Sequence, residues 1–217
     1  MAVAMTITNH RLDAAEWVPT PHTFGPITPT LGVIHETGTR ITPGSAVKYC
    51  TASRRVNPVR VAYHVIIERD GKVVQLAAFN KKLRHAGISR WKGREYCNGF
   101  SVGIGLVGPT ELKGTVARAK AWYGRWFTSE DQIVAGDSPH HGRGHIWLPY
   151  MHEQLQSLDE VVADLRQAYP GIDICGHYHC SPGRKIDPSP LIDIAAVGVP
   201  PVPVMLDETV PSDETLE

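Results

Sequence analysis

The chain has 217 residues, 42% hydrophobic and 20% charged, which suits one globular domain with a substantial buried core. Its 22 Lys and Arg balance its 22 Asp and Glu, so nothing in the bulk charge points to nucleic acid or to long-range steering of a charged ligand. No apolar run reaches membrane-spanning length, which argues against membrane insertion, and the four cysteines are too few and too scattered for a secreted disulfide framework, so reduced thiols are expected.

The first ten residues carry neither a basic leader nor the sustained apolar core of a signal peptide, so synthesis in the cytosol is expected. Residues 1 to 30, proline-rich around Trp17-Val18-Pro19-Thr20-Pro21, suit an extended lead-in wrapping over the domain. The apolar run Leu31-Gly32-Val33-Ile34 then reads as a buried strand ending at His35, with Glu36-Thr37-Gly38-Thr39 as loop. Strand ends entering loops are where scaffolds present functional groups, although His35 taken alone reads first as a core histidine. Residues 46 to 56 suit a short helix after the Pro43-Gly44-Ser45 turn.

Val59 to Ile67, the turn signal Asp70-Gly71 and Lys72 to Leu76 form a hairpin. Period two puts Tyr63, Val65 and Ile67 on one face and His64 and Ile66 on the other, so only one of Tyr63 and His64 can face a shared cleft. Spacing leaves that choice open. Phe100 to Val107 is a further strand, with Val102, Ile104 and Leu106 on one face and Ser101, Gly103 and Gly105 leaving the other almost bare. Such glycines mark either a close approach by another group or a bulge.

Residues 109 to 149 lack sustained periodicity and read as an irregular insertion pinned by Trp122, Trp126 and Trp147, with a substrate-gripping flap as the alternative. Within it His140, His141 and His145 have no acidic or cysteine partner in the sequence and read as solvated. From Pro149 to Tyr169, Met151, Leu155, Leu158, Val162 and Leu165 recur at helical steps, and Pro170-Gly171 closes the helix. The domain spans 31 to 196, and the tail from 197 to 217 is proline-rich and then acidic.

After the short strand Ile172-Asp173-Ile174-Cys175 comes Gly176-His177-Tyr178-His179-Cys180-Ser181-Pro182-Gly183-Arg184-Lys185-Ile186-Asp187-Pro188, which crowds metal donors and cations between turn formers. His177 and Asp187 are good zinc donors, and His35 is the candidate third, since a catalytic zinc takes three protein ligands and leaves one position open. A rival set of Cys175, His177, His179 and Cys180 lies too close together in sequence to surround one ion and lacks a distant second pair.

Taken together, Val33-Ile34-His35-Glu36-Thr37, Ala62-Tyr63-His64-Val65-Ile66-Ile67 with Asp70-Gly71, His85-Ala86-Gly87, Ser101-Val102-Gly103-Ile104, and Gly176-His177 through Pro188 resemble, in order, the zinc-dependent N-acetylmuramoyl-L-alanine amidases. The likeness runs from about Leu31 to Pro190. It implies an α/β fold with a mixed central sheet flanked by helices and a zinc groove on one face. It implies one Zn2+ per chain held by His35, His177 and Asp187, catalysis by Lys185 and Tyr63, and His85, Gly105 and Arg184 near the substrate or behind the ligands.

By the same resemblance Tyr63 faces the cleft and His64 the buried side. The substrate implied is peptidoglycan or a muropeptide, cut at the amide between N-acetylmuramic acid and L-alanine, by a monomer. Gly105 stands where the recycling-type bacterial enzymes carry a glutamate base, a departure shared with other active members. That departure and the leaderless start favour a phage or prophage endolysin that reaches the wall after release. A cytosolic recycling amidase is the alternative, and a peptidoglycan binder without catalysis a further one.

Overall fold

The computed structural model describes residues 6 to 138 and 140 to 198; most of the tail expectation, residues 199 to 217, lies outside the described residues. The central sheet has six strands: β1 Glu16–Trp17, β2 Leu31–Glu36, β3 Val65–Ile67, β4 Val73–Gln75, β5 Ser101–Leu106 and β6 Asp173–Gly176. Their spatial order is β6-β2-β5-β3-β4-β1. The β6, β2, β5 and β3 strands run parallel to their neighbours, and only β3 with β4 is antiparallel, so the expected mixed α/β sheet is present. Parallel strands covered on both faces read as unbroken apolar runs, and every residue of β2 and of β5 is buried.

The helix α1 spans Ser45–Thr51, α2 spans His152–Ala168 and α3 is the single turn His177–Cys180. On one sheet face Leu158, Val161, Val162 and Leu165 of α2 pack with Ile34, Val65, Ile67, Val102, Ile104 and Leu106. The buried Gln154 ties that helix to the sheet, its amide donating to the carbonyls of Ile67 (3.0 Å) and Val107 (3.1 Å). On the other face Ala46 and Cys50 of α1 pack with Ala62, Tyr63, Ile66, Val74 and Leu76. Cys97, Cys175 and Cys180, scattered in sequence, converge in an apolar cluster with Leu31 and Val33, and all four cysteines are free and buried. That arrangement leaves Cys175 and Cys180 as packing groups rather than members of a rival metal set.

Four expectations need correction. The lead-in contributes a regular element, because Glu16 and Trp17 pair with Val74 and Gln75 as the sheet edge. Strand β2 runs through Glu36, so that side chain is buried rather than in a loop. Strand β3 begins only at Val65, and the irregular backbone before it breaks period two, so Tyr63 packs with Ile66 and not with Val65 and Ile67. The insertion is not irregular: Lys113–Thr115, Arg118–Lys120 and Trp126–Thr128 form a three-stranded sheet, and Val134–Ala135 pairs with Ile146–Trp147.

These insertion strands are two or three residues long, too short for alternation to register in sequence. Their core is Leu112, Ala119, Ala121, Phe127, Ile133, Ile146 and Leu148. Of the tryptophans only Trp147 is buried, whereas Trp122 is 72% and Trp126 47% exposed.

Leu165 is wholly buried beneath the sheet. Leu165→Ala is expected to lower the unfolding free energy by about 2–5 kcal/mol in a urea titration, and Leu155→Ala, which is only partly buried, by distinctly less.

Candidate metal centre

Strand register assembles the site. Parallel pairing sets Gly176 of β6 beside Ile34 of β2, so the next residue, His177, emerges next to His35. On the other side of β2, His35 lies in register with Gly105 of β5. The loop after α3 then returns Asp187 to α3, where the Tyr178 N–H donates to the Asp187 carbonyl at 3.0 Å.

Three side chains from distant points of the chain thus meet. His35 Nδ1 is 3.0 Å from His177 Nδ1 and 3.3 Å from Asp187 Oδ2, and His177 Nδ1 is 3.0 Å from that same oxygen. All three residues are buried, and theirs is the one group of three or more such donors found among the described residues.

Hydrogen bonding fixes which ring atoms face inward. A carbonyl only accepts, so His177 Nε2, 3.1 Å from Ala86 O, carries a proton, and Nδ1 is the ring atom turned toward His35 and Asp187. By the same reasoning His85 Nε2 donates to Ser101 O at 3.4 Å, and His85 Nδ1 accepts from His35 Nε2 at 3.0 Å, which turns His35 Nδ1 inward as well. Burial foremost, with neighbouring histidines, pushes His35 down to about 4 and His85 well below its ordinary value, so both rings are neutral.

Asp187 is held well below the usual carboxylate range: burial opposes ionisation, but hydrogen bonds and charge interactions with His177 and His35 outweigh it. Two imidazole nitrogens and a carboxylate oxygen thus face one another within 3.0 to 3.3 Å. Tetrahedral coordination at bond lengths of about 2.0–2.1 Å would separate ligand atoms by about 3.3 Å, so the donor set and its spacing fit a zinc-sized cation. Ring N–H groups tied to carbonyls or to another ring are the usual support of metal-bound histidines.

Around this centre the remaining expected residues take distinct places. Tyr63 has its ring 5.1 Å from that of His35, and burial foremost pushes its hydroxyl well above the ordinary range, so it stays protonated. Its space is the space of a missing side chain: a Cβ at Gly105 would lie 2.9 Å from the Tyr63 ring and 3.0 Å from Thr37, just as one at Gly103 would lie 2.6 Å from the His85 ring. The bare face of β5 therefore marks close approach and not a bulge. His64 is wholly buried, its Nε2 donating to Lys81 O at 2.7 Å and its Nδ1 accepting from Gly103 N at 3.0 Å.

Lys185 is half-buried and lines a groove of about 580 Å³ with Lys82, Arg84, His85 and Arg184. The Arg184 guanidinium braces the groove wall, donating to Ala86 O (2.6 Å), Ile88 O (3.1 Å) and Ser181 Oγ (2.8 Å).

Sequence reading missed two features. Glu36 is buried behind His35, accepting from Thr110 N (2.9 Å) and the Tyr150 hydroxyl (3.0 Å), and burial pushes it up to about 7. Strand alternation past His35 was the available signal. Two of the three histidines of the insertion do have partners: His145 Nδ1 lies 2.5 Å from Glu111 Oε1, and the buried His141 donates through Nε2 to Pro188 O at 2.9 Å, whereas His140 is exposed.

Comparison with known proteins agrees with this geometry. Residues 25–190 match the family model described as N-acetylmuramoyl-L-alanine amidase. The chain is 32% identical over 203 residues to the 1,6-anhydro-N-acetylmuramyl-L-alanine amidase AmpD of Escherichia coli, covering 85% of this chain and 90% of that protein. A crystal structure of a Se-Met AmpD derivative superposes with a TM-score of 0.61 at 30% identity, covering 88% of this chain and 96% of that one. The solution structure of Citrobacter freundii AmpD gives 0.53 at 28% identity, with 89% and 93% covered. A shared sequence pattern, a shared fold and a convergent donor triad place this chain in the N-acetylmuramoyl-L-alanine amidase family, as a peptidoglycan amidase.

Proposed function

We propose that the chain hydrolyses the amide between the N-acetylmuramyl lactyl group and L-alanine in small 1,6-anhydromuropeptides, as a recycling-type amidase. The endolysin reading gives way to the alternative because of one observation: 32% identity across 90% of the E. coli relative, whose name specifies the 1,6-anhydro sugar. Gly105 had pointed the other way, but the Tyr63 ring fills the space a residue there would need, so this active site is built around a tyrosine in place of that side chain. Action inside the cytosol belongs to the same proposal; no helix among the described residues is long and apolar enough to cross a membrane.

In this reading His35, His177 and Asp187 hold one Zn2+, which when bound supplies a Lewis acid and acidifies water to a pKa of about 7. Lys185, on the groove wall, offers a cation to the charge that develops on the amide oxygen. The protonated Tyr63 hydroxyl donates a hydrogen bond and can pass a proton to the leaving amine. His85 holds the His35 ring in its tautomer, and Arg184 fixes the 86–88 backbone that receives the His177 N–H. The cations of the groove suit the carboxylates of a stem peptide.

His177→Ala is expected to lose stoichiometric zinc and activity together, measured by elemental analysis and amide release. Lys185→Ala is expected to keep its zinc and lose about 100- to 1,000-fold in kcat; metal retained in the first variant would refute the ligand assignment. Gly105→Glu should lower turnover at least about tenfold by displacing Tyr63, and a gain would mean that a carboxylate base is wanting. Finally, kcat/KM on an anhydromuropeptide should exceed that on intact sacculi by about 100-fold or more, a discrimination of about 3 kcal/mol; equal or faster release from sacculi would restore the endolysin reading.

A further inference from the structure

We propose, on the amidase reading above, that the cleft between the insertion and the segment leading into Asp187 is a saccharide subsite, with the Trp122 indole as its platform. The cleft holds about 490 Å³ and is lined by Thr110, Glu111, Lys113, Lys120, Trp122 and Ile186. Trp122 is 72% exposed yet fixed in place, since its Nε1 donates to Gly38 O at 2.8 Å. That bond uses the one polar atom of the side chain and leaves a large apolar face open to water, an arrangement that costs hydration free energy unless a ligand covers it. The apolar C–H face of a pyranose ring is a suitable cover, provided polar groups at its rim meet the hydroxyls.

Those groups are present. Glu111 is held by Lys113 Nζ at 2.6 Å and His145 Nδ1 at 2.5 Å, and a carboxylate with two oxygens retains acceptor capacity for sugar hydroxyls. Lys120, exposed on the same wall, supplies donors for an acetamido carbonyl.

Position selects the sugar over the peptide as occupant. Lys185 lines the cationic groove and Ile186 lines this cleft, so the two meet at the segment that carries Asp187. From the other direction Gly38, which anchors Trp122, is three residues beyond His35. An amide joining a sugar to a peptide, placed at the metal centre, must send its two halves to different sides. The groove bearing Lys82, Arg84, Arg184 and Lys185 matches the acidic half, and the aromatic cleft matches the carbohydrate half.

The test uses the full chain and peptide-free 1,6-anhydro-N-acetylmuramic acid, followed by the Trp122 indole N–H resonance, assigned by its disappearance in Trp122→Phe. A saturable shift is expected in the wild type, with affinity falling at least about tenfold in Trp122→Ala and less in Trp122→Phe, which keeps an aromatic face. In catalysis Trp122→Ala should raise KM about tenfold on the sugar-bearing substrate, with kcat within about threefold, and should not raise KM on a lactoyl-peptide that lacks the sugar. A saccharide that leaves the Trp122 resonance unmoved, or a KM that rises equally on both substrates, overturns the assignment. Should the wild type cleave neither amide, the amidase reading fails, while the saccharide titration still decides the cleft.

Discussion

Three side chains able to ligate a metal face one another in the interior. His35 Nδ1, His177 Nδ1 and Asp187 Oδ2 lie 3.0 to 3.3 Å apart, and each imidazole turns its Nε2 outward to a protein partner. A buried carboxylate costs free energy unless its charge is met, and here His177 and His35 meet it. The strand register that forces the approach is the feature on which this candidate centre depends.

What could be read from the chain follows from how local each signal is. The α2 helix, the 31–36 strand and the 101–106 strand carry their own periodicity or apolar continuity, and they are found where the sequence put them. His177 and Asp187 were legible as donors within one local run and His35 as a candidate third at a strand end, but only the resemblance joined them, because nothing local says that residues separated by 142 positions will meet. Tyr63 against His64 was undecidable from period two, since the backbone becomes a regular strand only at Val65. Both rings are buried, on different partners. The insertion's strands stayed hidden because elements of two or three residues are stabilised by pairing with distant partners, which no short window contains.

Gly105 illustrates how a single position misleads when its neighbours are unknown. Read along the chain, it is an absent carboxylate. Within the fold it is room for the Tyr63 ring and the Thr37 methyl, each about 3 Å from where a Cβ would sit. Glycine at 105 and tyrosine at 63 are thus one steric unit, contributed by β5 and the segment leading into β3, and Gly103 with His85 is a second on the same face. An inference about relationship drawn from one member of such a pair has half the information. The global match to AmpD weighs many such positions at once.

The insertion is set against the metal centre by contacts that are neither numerous nor loose. Trp122 donates to Gly38 O beyond His35, and His141 donates to Pro188 O beside Asp187. Thr110 N reaches the Glu36 carboxylate, which also accepts the Tyr150 hydroxyl, whose oxygen in turn accepts from Ser189 N. Each tie ends within three residues of a candidate ligand. A flap that opened by rigid rotation would have to break these bonds and expose the buried Glu36, so the geometry favours a fixed wall over a lid. A fixed wall suits recognition of a rigid sugar, since a preorganised surface spends none of the binding free energy on ordering itself.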